Sequence, residues 1–224
     1  VRPDKLHVIP LGVDDRFRPK STADERAWAA AARSNLGISG PYLLYVGGFD
    51  RRKNVDRLVE AFARLKRERK FKHSLYLVGT VRTGEALFYD PRSDLERDGL
   101  EGSIGLLGQC SDDEIQALLD GADAFVFPSS YEGFGLPPLE AMASGTPVIC
   151  SNASSLPEVV GDAGVMFDPL LVEDIMSAIT RVVDDKDLRL DLSRRGLERA
   201  RGFTWNQTME ATFQIYETVA ENTG

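Results

Sequence analysis

Two glutamates with seven residues between them mark the stretch of this chain best suited to chemistry: Glu132-Gly-Phe-Gly-Leu-Pro-Pro-Leu-Glu140. Carboxylates accept hydrogen bonds in pairs, which suits the vicinal hydroxyls of sugars and of ribose. Gly133 and Gly135 let the backbone approach a ligand with no Cβ in the way. Pro137 and Pro138 suit the first turn of a helix, where a missing N–H costs nothing. A glycine loop that opens a helix leaves backbone N–H donors free and the helix dipole behind them, which together make an anion site. A diphosphate at that terminus with a diol on either side describes a nucleotide-sugar. Taken singly, Glu140 could do no more than favour the dipole and Glu132 could simply be solvated; the whole spacing is what argues for a ligand.

A second element is Val46-Gly47-Gly48-Phe49-Asp50-Arg51-Arg52-Lys53-Asn54. Its three consecutive cations could neutralise a diphosphate where charge grows as a bond breaks, or could be an ordinary solvated cluster. Gly47-Gly48 lacks the GxGxxG spacing of a dinucleotide fingerprint. No Asp-x-Asp pair follows a strand candidate, and His7 and His73 are the only histidines, so neither a metal nor another cofactor is expected. Asp184-Asp185-Lys186-Asp187 reads as a solvated turn at a helix end. Cys110 and Cys150 belong to no CxxC and read as reduced thiols of a cytosolic protein.

The elements that must position these groups alternate regularly. Short apolar runs at 42–46, 74–78, 103–107, 124–127, 147–150 and 164–167 do not alternate with polar residues, as suits strands buried on both faces of a parallel sheet. Between them lie helical stripes: Val55, Leu58, Val59, Phe62 and Leu65, then Val172, Ile175, Met176, Ile179, Val182 and Val183. Ser111 to Glu114 reads as a capping box opening a helix that carries Ile115, Leu118 and Leu119. The pattern predicts right-handed βαβ units and a doubly wound α/β sheet of about six strands, with ligands beyond the strands' carboxyl ends. Both motifs follow strand candidates.

At 224 residues and 42% hydrophobic, the chain can bury a full core as one domain spanning 1–224. An extended linker over about 1–40, with an Ala-rich helical stretch near 27–32, precedes the sheet. A final amphipathic helix over about 206–222 carries Met209, Phe213, Tyr216 and Val219, whose stripe needs a docking surface on this domain or on another. The net charge of -8 argues against a nucleic-acid partner, which demands a basic face. No apolar run reaches the ~18–20 residues of a membrane span. The start at Val1, without Met or a leader pattern, reads as a cut inside a longer protein.

IPLGVD, YVGGFDRRKNVDRLVEAF, LYLVG, LLGQCSDDEIQALLDGADAFVFPSSYEGFGLPPLEAMASGTPVI, LPEVVGDAGVMFDP and the final FTW together resemble the retaining GT-B glycosyltransferases of the group 1 (family 4) type over nearly the whole chain. The resemblance implies the carboxy-terminal, Rossmann-like half of a GT-B fold, with the amino-terminal acceptor domain of the same protein lying outside this chain. It implies that Glu140 binds the donor's ribose and that Glu132 touches the transferred sugar, helped by backbone N–H groups of Phe134, Gly135 and Leu136 in the Gly133 loop. Arg52 and Lys53 would hold the diphosphate, and Cys110 would lie near the base. Many relatives carry Arg where Gly48 stands; Arg52 is the candidate substitute and Arg82 a weaker one.

The implied activity is retaining transfer of a hexose from a UDP-sugar or a GDP-sugar such as GDP-mannose, without a metal, to a glycan or lipid-linked acceptor of polysaccharide biosynthesis. It would take place in the cytoplasm, with peripheral contact at the inner face of the membrane. A nucleotide-sugar hydrolase or epimerase on the same fold, and a non-catalytic domain, are the alternatives.

Overall fold

The computed structural model describes residues 5–221. Residues 1–4 of the expected linker and residue 222 of the expected final helix lie outside them. Six short runs form one wholly parallel sheet: β1 (Tyr42–Val46), β2 (Ser74–Val78), β3 (Ile104–Gly108), β4 (Ala124–Phe127), β5 (Val148–Ser151) and β6 (Gly164–Phe167), in the order β3-β2-β1-β4-β5-β6. Every residue of β4 and β5 is buried, as runs without alternation require when helices cover both faces.

Four strands fall where the sequence predicts, and two are displaced by one residue. Pro147 has no N–H for a ladder, so β5 begins at Val148 and extends to Ser151, whose buried hydroxyl donates to Ser129 O at 2.5 Å. β3 runs on to Gly108 because the pairing with β2 shifts between Leu77 and Val78, and Gly79 N bonds Gly108 O at 2.8 Å.

The helices are α1 (Ala23–Asn35), α2 (Val55–Glu68), α3 (Arg92–Asp98), α4 (Asp112–Gly121), α5 (Leu136–Ala143), α6 (Leu156–Val160), α7 (Val172–Asp184), α8 (Lys186–Ala200) and α9 (Trp205–Glu221). The predicted stripe of α2 is the core face: Val55, Leu58, Val59, Phe62 and Leu65 are each at most 1% exposed. Ser111 and Glu114 form the predicted capping box on α4, and Thr22 with Glu25 forms a second on α1. α1 packs on α4, α2 on α7 and α5 on α8.

The stretch 184–187 is solvated and lies at helix ends, as expected, but only Asp185 separates α7 from α8. Asp185 caps α8, accepting from Leu188 N at 2.9 Å, and Asp184 pairs with Arg69. α8 escapes a periodicity search because its buried positions are sparse and small: Leu192, then Gly196 against Met142, then Ala200. α9 is an amphipathic helix, but Met209, Phe213, Tyr216 and Val219 are all at least half exposed. Among the described residues Met209, Phe213 and Tyr216 stay largely exposed along that stripe.

The chain reverses its strand order between β1 and β4. That switch point opens a crevice outside the carboxyl ends of both strands, where sheets of this kind bind ligands. The Gly47–Lys53 segment leaves β1 there, and the segment bearing Glu132 leaves β4 beside it.

Candidate donor-binding site

The segment after β1 tightens into a single 3-10 turn, Arg51–Lys53. Its three cations point apart. Arg51 Nε donates to Ala86 O at 2.8 Å, whereas Arg52 and Lys53 turn to the neighbouring loop. Asn54 ends the turn in the left-handed region, φ 58°, which Asn tolerates better than most residues. Only 2% exposed, it donates from Nδ2 to Pro128 O (3.1 Å) and Pro169 O (2.7 Å) and accepts from Arg57 at 2.6 Å. Arg52 O in turn accepts from Ser130 N at 2.8 Å and from the hydroxyls of Ser129 and Ser130. The two loops are thus sewn together through buried polar groups.

The second loop is held from behind by the turn after β5. Glu132 N donates to Ser154 Oγ at 2.8 Å, and Ser155 Oγ donates to the carbonyls of Glu132 (3.1 Å) and Phe134 (2.7 Å). Gly135 then caps α5 at φ 113°, where the backbone favours glycine, and a Cβ there would stand 2.8 Å from Leu156 Cδ2 and make that side chain shift. Pro137 and Pro138 lie in the first turn, and the first intrahelical bond runs from Leu139 N to Gly135 O. The donors at this helix end are therefore the N–H groups of Phe134, Gly135 and Leu136.

Lys53 Nζ meets Glu132 Oε1 at 2.7 Å, with the two side chains 12% and 10% exposed. Arg52 Nη1 lies 3.8 Å from the other carboxylate oxygen, and its Nε lies 2.8 Å from Asp50 Oδ1. That second pair is an ion pair without hydrogen-bond geometry, since Asp50 Oδ1 has no bonded donor among the described residues. Asp50 also borders a cleft of about 430 Å³ that contains Gly48, Thr80, Arg82, Gln109 and Cys110. Gly48 and Cys110, predicted from separate motifs, therefore share one cleft, bordered by the Asp50 that pairs with Arg52. Arg82 reaches the same cleft, with its guanidinium 4.8 Å from the ring centre of Phe88. The Cys110 thiol is pushed up by its burial and by Glu114, which favours its protonated form.

Glu140 occupies the second turn of α5, half-buried, and no hydrogen bond or ion pair reaches its carboxylate from the described residues. Burial pushes its pKa up to about 7, the carboxylates of Asp112 and Asp14 add to the rise, and Arg16 opposes it. Arg16 is shared, 2.7 Å from Asp112 and 3.1 Å from Asp14. A carboxylate left without donors in a half-buried place is suited to take them from a ligand.

Asn54, Ser154, Ser155, Asp14, Arg16 and Asp112 were not singled out by sequence reasoning. Asn54 carried one usable signal, a residue tolerant of left-handed backbone just before an amphipathic stripe. The others act through partners distant in sequence. A larger groove of about 540 Å³ between α2 and α3 is lined by Asp94, Asp98, Arg67 and Arg97 among others, but these pair with one another and lie away from the crevice. Among the described residues no three His, Cys, Asp or Glu side chains are grouped as metal ligands would be, and no helix is long and apolar enough to cross a membrane.

The sequence model of the family described as glycosyl transferases group 1 matches residues 29–199. The chain is 36% identical over 214 residues to O-antigen chain mannosyltransferase B of Escherichia coli, covering 96% of this chain and 55% of that protein. It is 33% identical over 223 residues to MMP alpha-(1->4)-mannosyltransferase of Mycolicibacterium hassiacum, covering 97% and 49%. It thus spans about half the length of these relatives. Among solved structures, HepE of Anabaena in complex with UDP-glucose superposes with a TM-score of 0.81 at 22% identity, over 98% of this chain and 58% of that one.

Proposed function

The chain belongs to the group 1 glycosyl transferases, its sheet being the Rossmann-like half of a GT-B fold, and on that premise we propose that it is the donor-binding half of a retaining hexosyltransferase. The observation that carries this reading is the convergence, at one switch point, of the α5 terminus, the Arg52–Lys53 cations and two carboxylates on either side.

In this reading the diphosphate of a UDP- or GDP-sugar lies against the N–H groups of Phe134, Gly135 and Leu136. Lys53 and Arg52 neutralise the charge that grows on the leaving diphosphate, where fixed cations in a poorly hydrated site act most strongly. Glu132 accepts hydrogen bonds from the sugar and Glu140 from the ribose hydroxyls, so the two carboxylates fix the donor at both ends. The base lies in the cleft beside Gly48 and Cys110. Mannosyl transfer is named for both relatives, and a UDP-sugar is named for HepE; a hexose donor is common to them.

The chain matches only about half of each relative, and Met209, Phe213 and Tyr216 on the apolar stripe of α9 are exposed. Both support a second, acceptor-binding domain of the same protein, docked on that stripe. The whole protein would act in the cytoplasm, at the inner face of the membrane where a lipid-linked acceptor is presented.

A thermal-shift panel of UDP, GDP, ADP and their sugar conjugates tests the site. At a hundredfold excess over Kd a ligand stabilises the folded state by about 2.7 kcal/mol. Selective stabilisation by one base, lost in Glu140→Ala, is the expected result. No shift from any nucleotide at millimolar concentration would refute the reading.

A further inference from the structure

Lys53 and Glu132 are 79 residues apart in sequence, yet their charged atoms meet at 2.7 Å with little water on either side. Lys53 Nζ also stands over the Phe127 ring, 5.3 Å from its centre. The Glu132 backbone is fixed at both N–H and C=O by Ser154 and Ser155, so leaving Lys53 is a movement of the side chain alone. Arg52 is half exposed and divided between Asp50 and Glu132. The cation that a diphosphate needs most is therefore already occupied by a carboxylate of the same site.

We propose that the Lys53–Glu132 ion pair makes the site discriminate a sugar-bearing nucleotide from a bare nucleoside diphosphate, an inference that rests on the donor-site reading above. A bare diphosphate must share Lys53 with a carboxylate or drive Glu132 away. The second course leaves a poorly hydrated anion unpaired beside a phosphate, and like charges in such a place repel strongly. A sugar on the terminal phosphate changes the balance, because its hydroxyls supply donors to the released Glu132. Opening the pair is thus compensated only when sugar is present. Once the sugar has been transferred, Glu132 returns to Lys53 and the product diphosphate is expelled.

Titration calorimetry of the chain with UDP, UDP-glucose, GDP and GDP-mannose tests this on Glu132→Gln, which keeps the side-chain shape and an acceptor for Lys53 but removes the competing charge. The bare diphosphate of the accepted base should bind E132Q about tenfold tighter than wild type, while its sugar conjugate binds no tighter. The preference for the conjugate then falls by the same factor. If Glu132→Gln does not fold, Glu132→Asp, which draws the carboxylate back by one methylene, should shift the preference in the same direction. Equal changes for bare and conjugated nucleotide, or weaker binding of the bare one, would overturn the discrimination and leave the donor site standing. A wild-type chain that binds none of the four would overturn the donor site and this inference with it.

Discussion

Glu140→Gln should make the protein more stable at neutral and alkaline pH while impairing nucleotide binding. The carboxyl is raised from an ordinary value of 4.5 to about 7 in the folded state, first by burial and then by the carboxylates of Asp112 and Asp14. Between those values the folded chain keeps a proton that the unfolded chain has released. Stability linked to this group is therefore fully present below pH 4.5 and falls as pH rises through 7. At about 1.4 kcal/mol per pH unit across that interval, the loss is on the order of 2–3 kcal/mol once partial hydration of the carboxylate is allowed for.

Glutamine has nearly the same shape and no charge, so the loss should disappear in the variant. Each kcal/mol moves the melting temperature of a domain this size by roughly 2–4 °C, so Glu140→Gln should melt about 5–10 °C above wild type at pH 8 and within a degree or two of it at pH 4. Melts of both proteins at pH 4, 5, 6, 7 and 8, taken as differences, cancel the titrating groups that do not interact with Glu140. A difference that stays constant with pH, or a variant less stable at pH 8, would refute the electrostatic account of Glu140. The same variant should lose most of its nucleotide-induced stabilisation, because an amide replaces the carboxylate proposed to accept from the ribose diol. Stability surrendered at a binding site is a common trade.

Gly135→Ala should cost about 2–4 kcal/mol in urea unfolding, since it combines an unfavourable φ with a contact against Leu156 that only a shift can relieve; a loss under 0.5 kcal/mol would mean that α5 does not need its glycine cap. Asn54→Ala should cost about 2–3 kcal/mol, because it strips donors from two buried carbonyls. It should also weaken nucleotide binding by letting the two loops part, and unchanged affinity would contradict the role given to that link. The isolated chain should bind nucleotide but transfer almost no sugar to an acceptor; robust transfer, measured with radiolabelled donor, would show that no second domain is needed.

Most of the fold was legible because its signals are local. Apolar runs without alternation, the α2 stripe and the Ser111–Glu114 box each declare themselves within a few residues, and they place the strands to within one position. The glycine-proline loop was legible for the same reason: its residues build one helix terminus by themselves. α8 was missed because a helix whose buried face is made partly of Gly196 and Ala200 leaves little hydrophobic periodicity to detect. The bounds of β3 and β5 slipped because a register shift and a hydroxyl bond, not composition, end them.

What assembles the candidate site is of another kind. Asn54 reaches Pro169 across 115 residues, Arg16 reaches Asp112 across 96, and Lys53 reaches Glu132 across 79. None of these pairs has a periodicity, and each could be read alone as solvated polar surface. Lys53 and Glu132 meet because the strand order reverses between β1 and β4, which sets two loops from distant parts of the chain side by side, and the other pairs tie neighbouring segments to that region. A sequence motif can therefore supply the anion-binding terminus, but the balance of charge around it is a property of topology. That balance distinguishes the two glutamates. Glu132 is paired with a cation from the other loop, whereas Glu140 is left among carboxylates and burial pushes its carboxyl up to about 7, so residues that look equivalent in the motif stand in different charge environments in the folded chain.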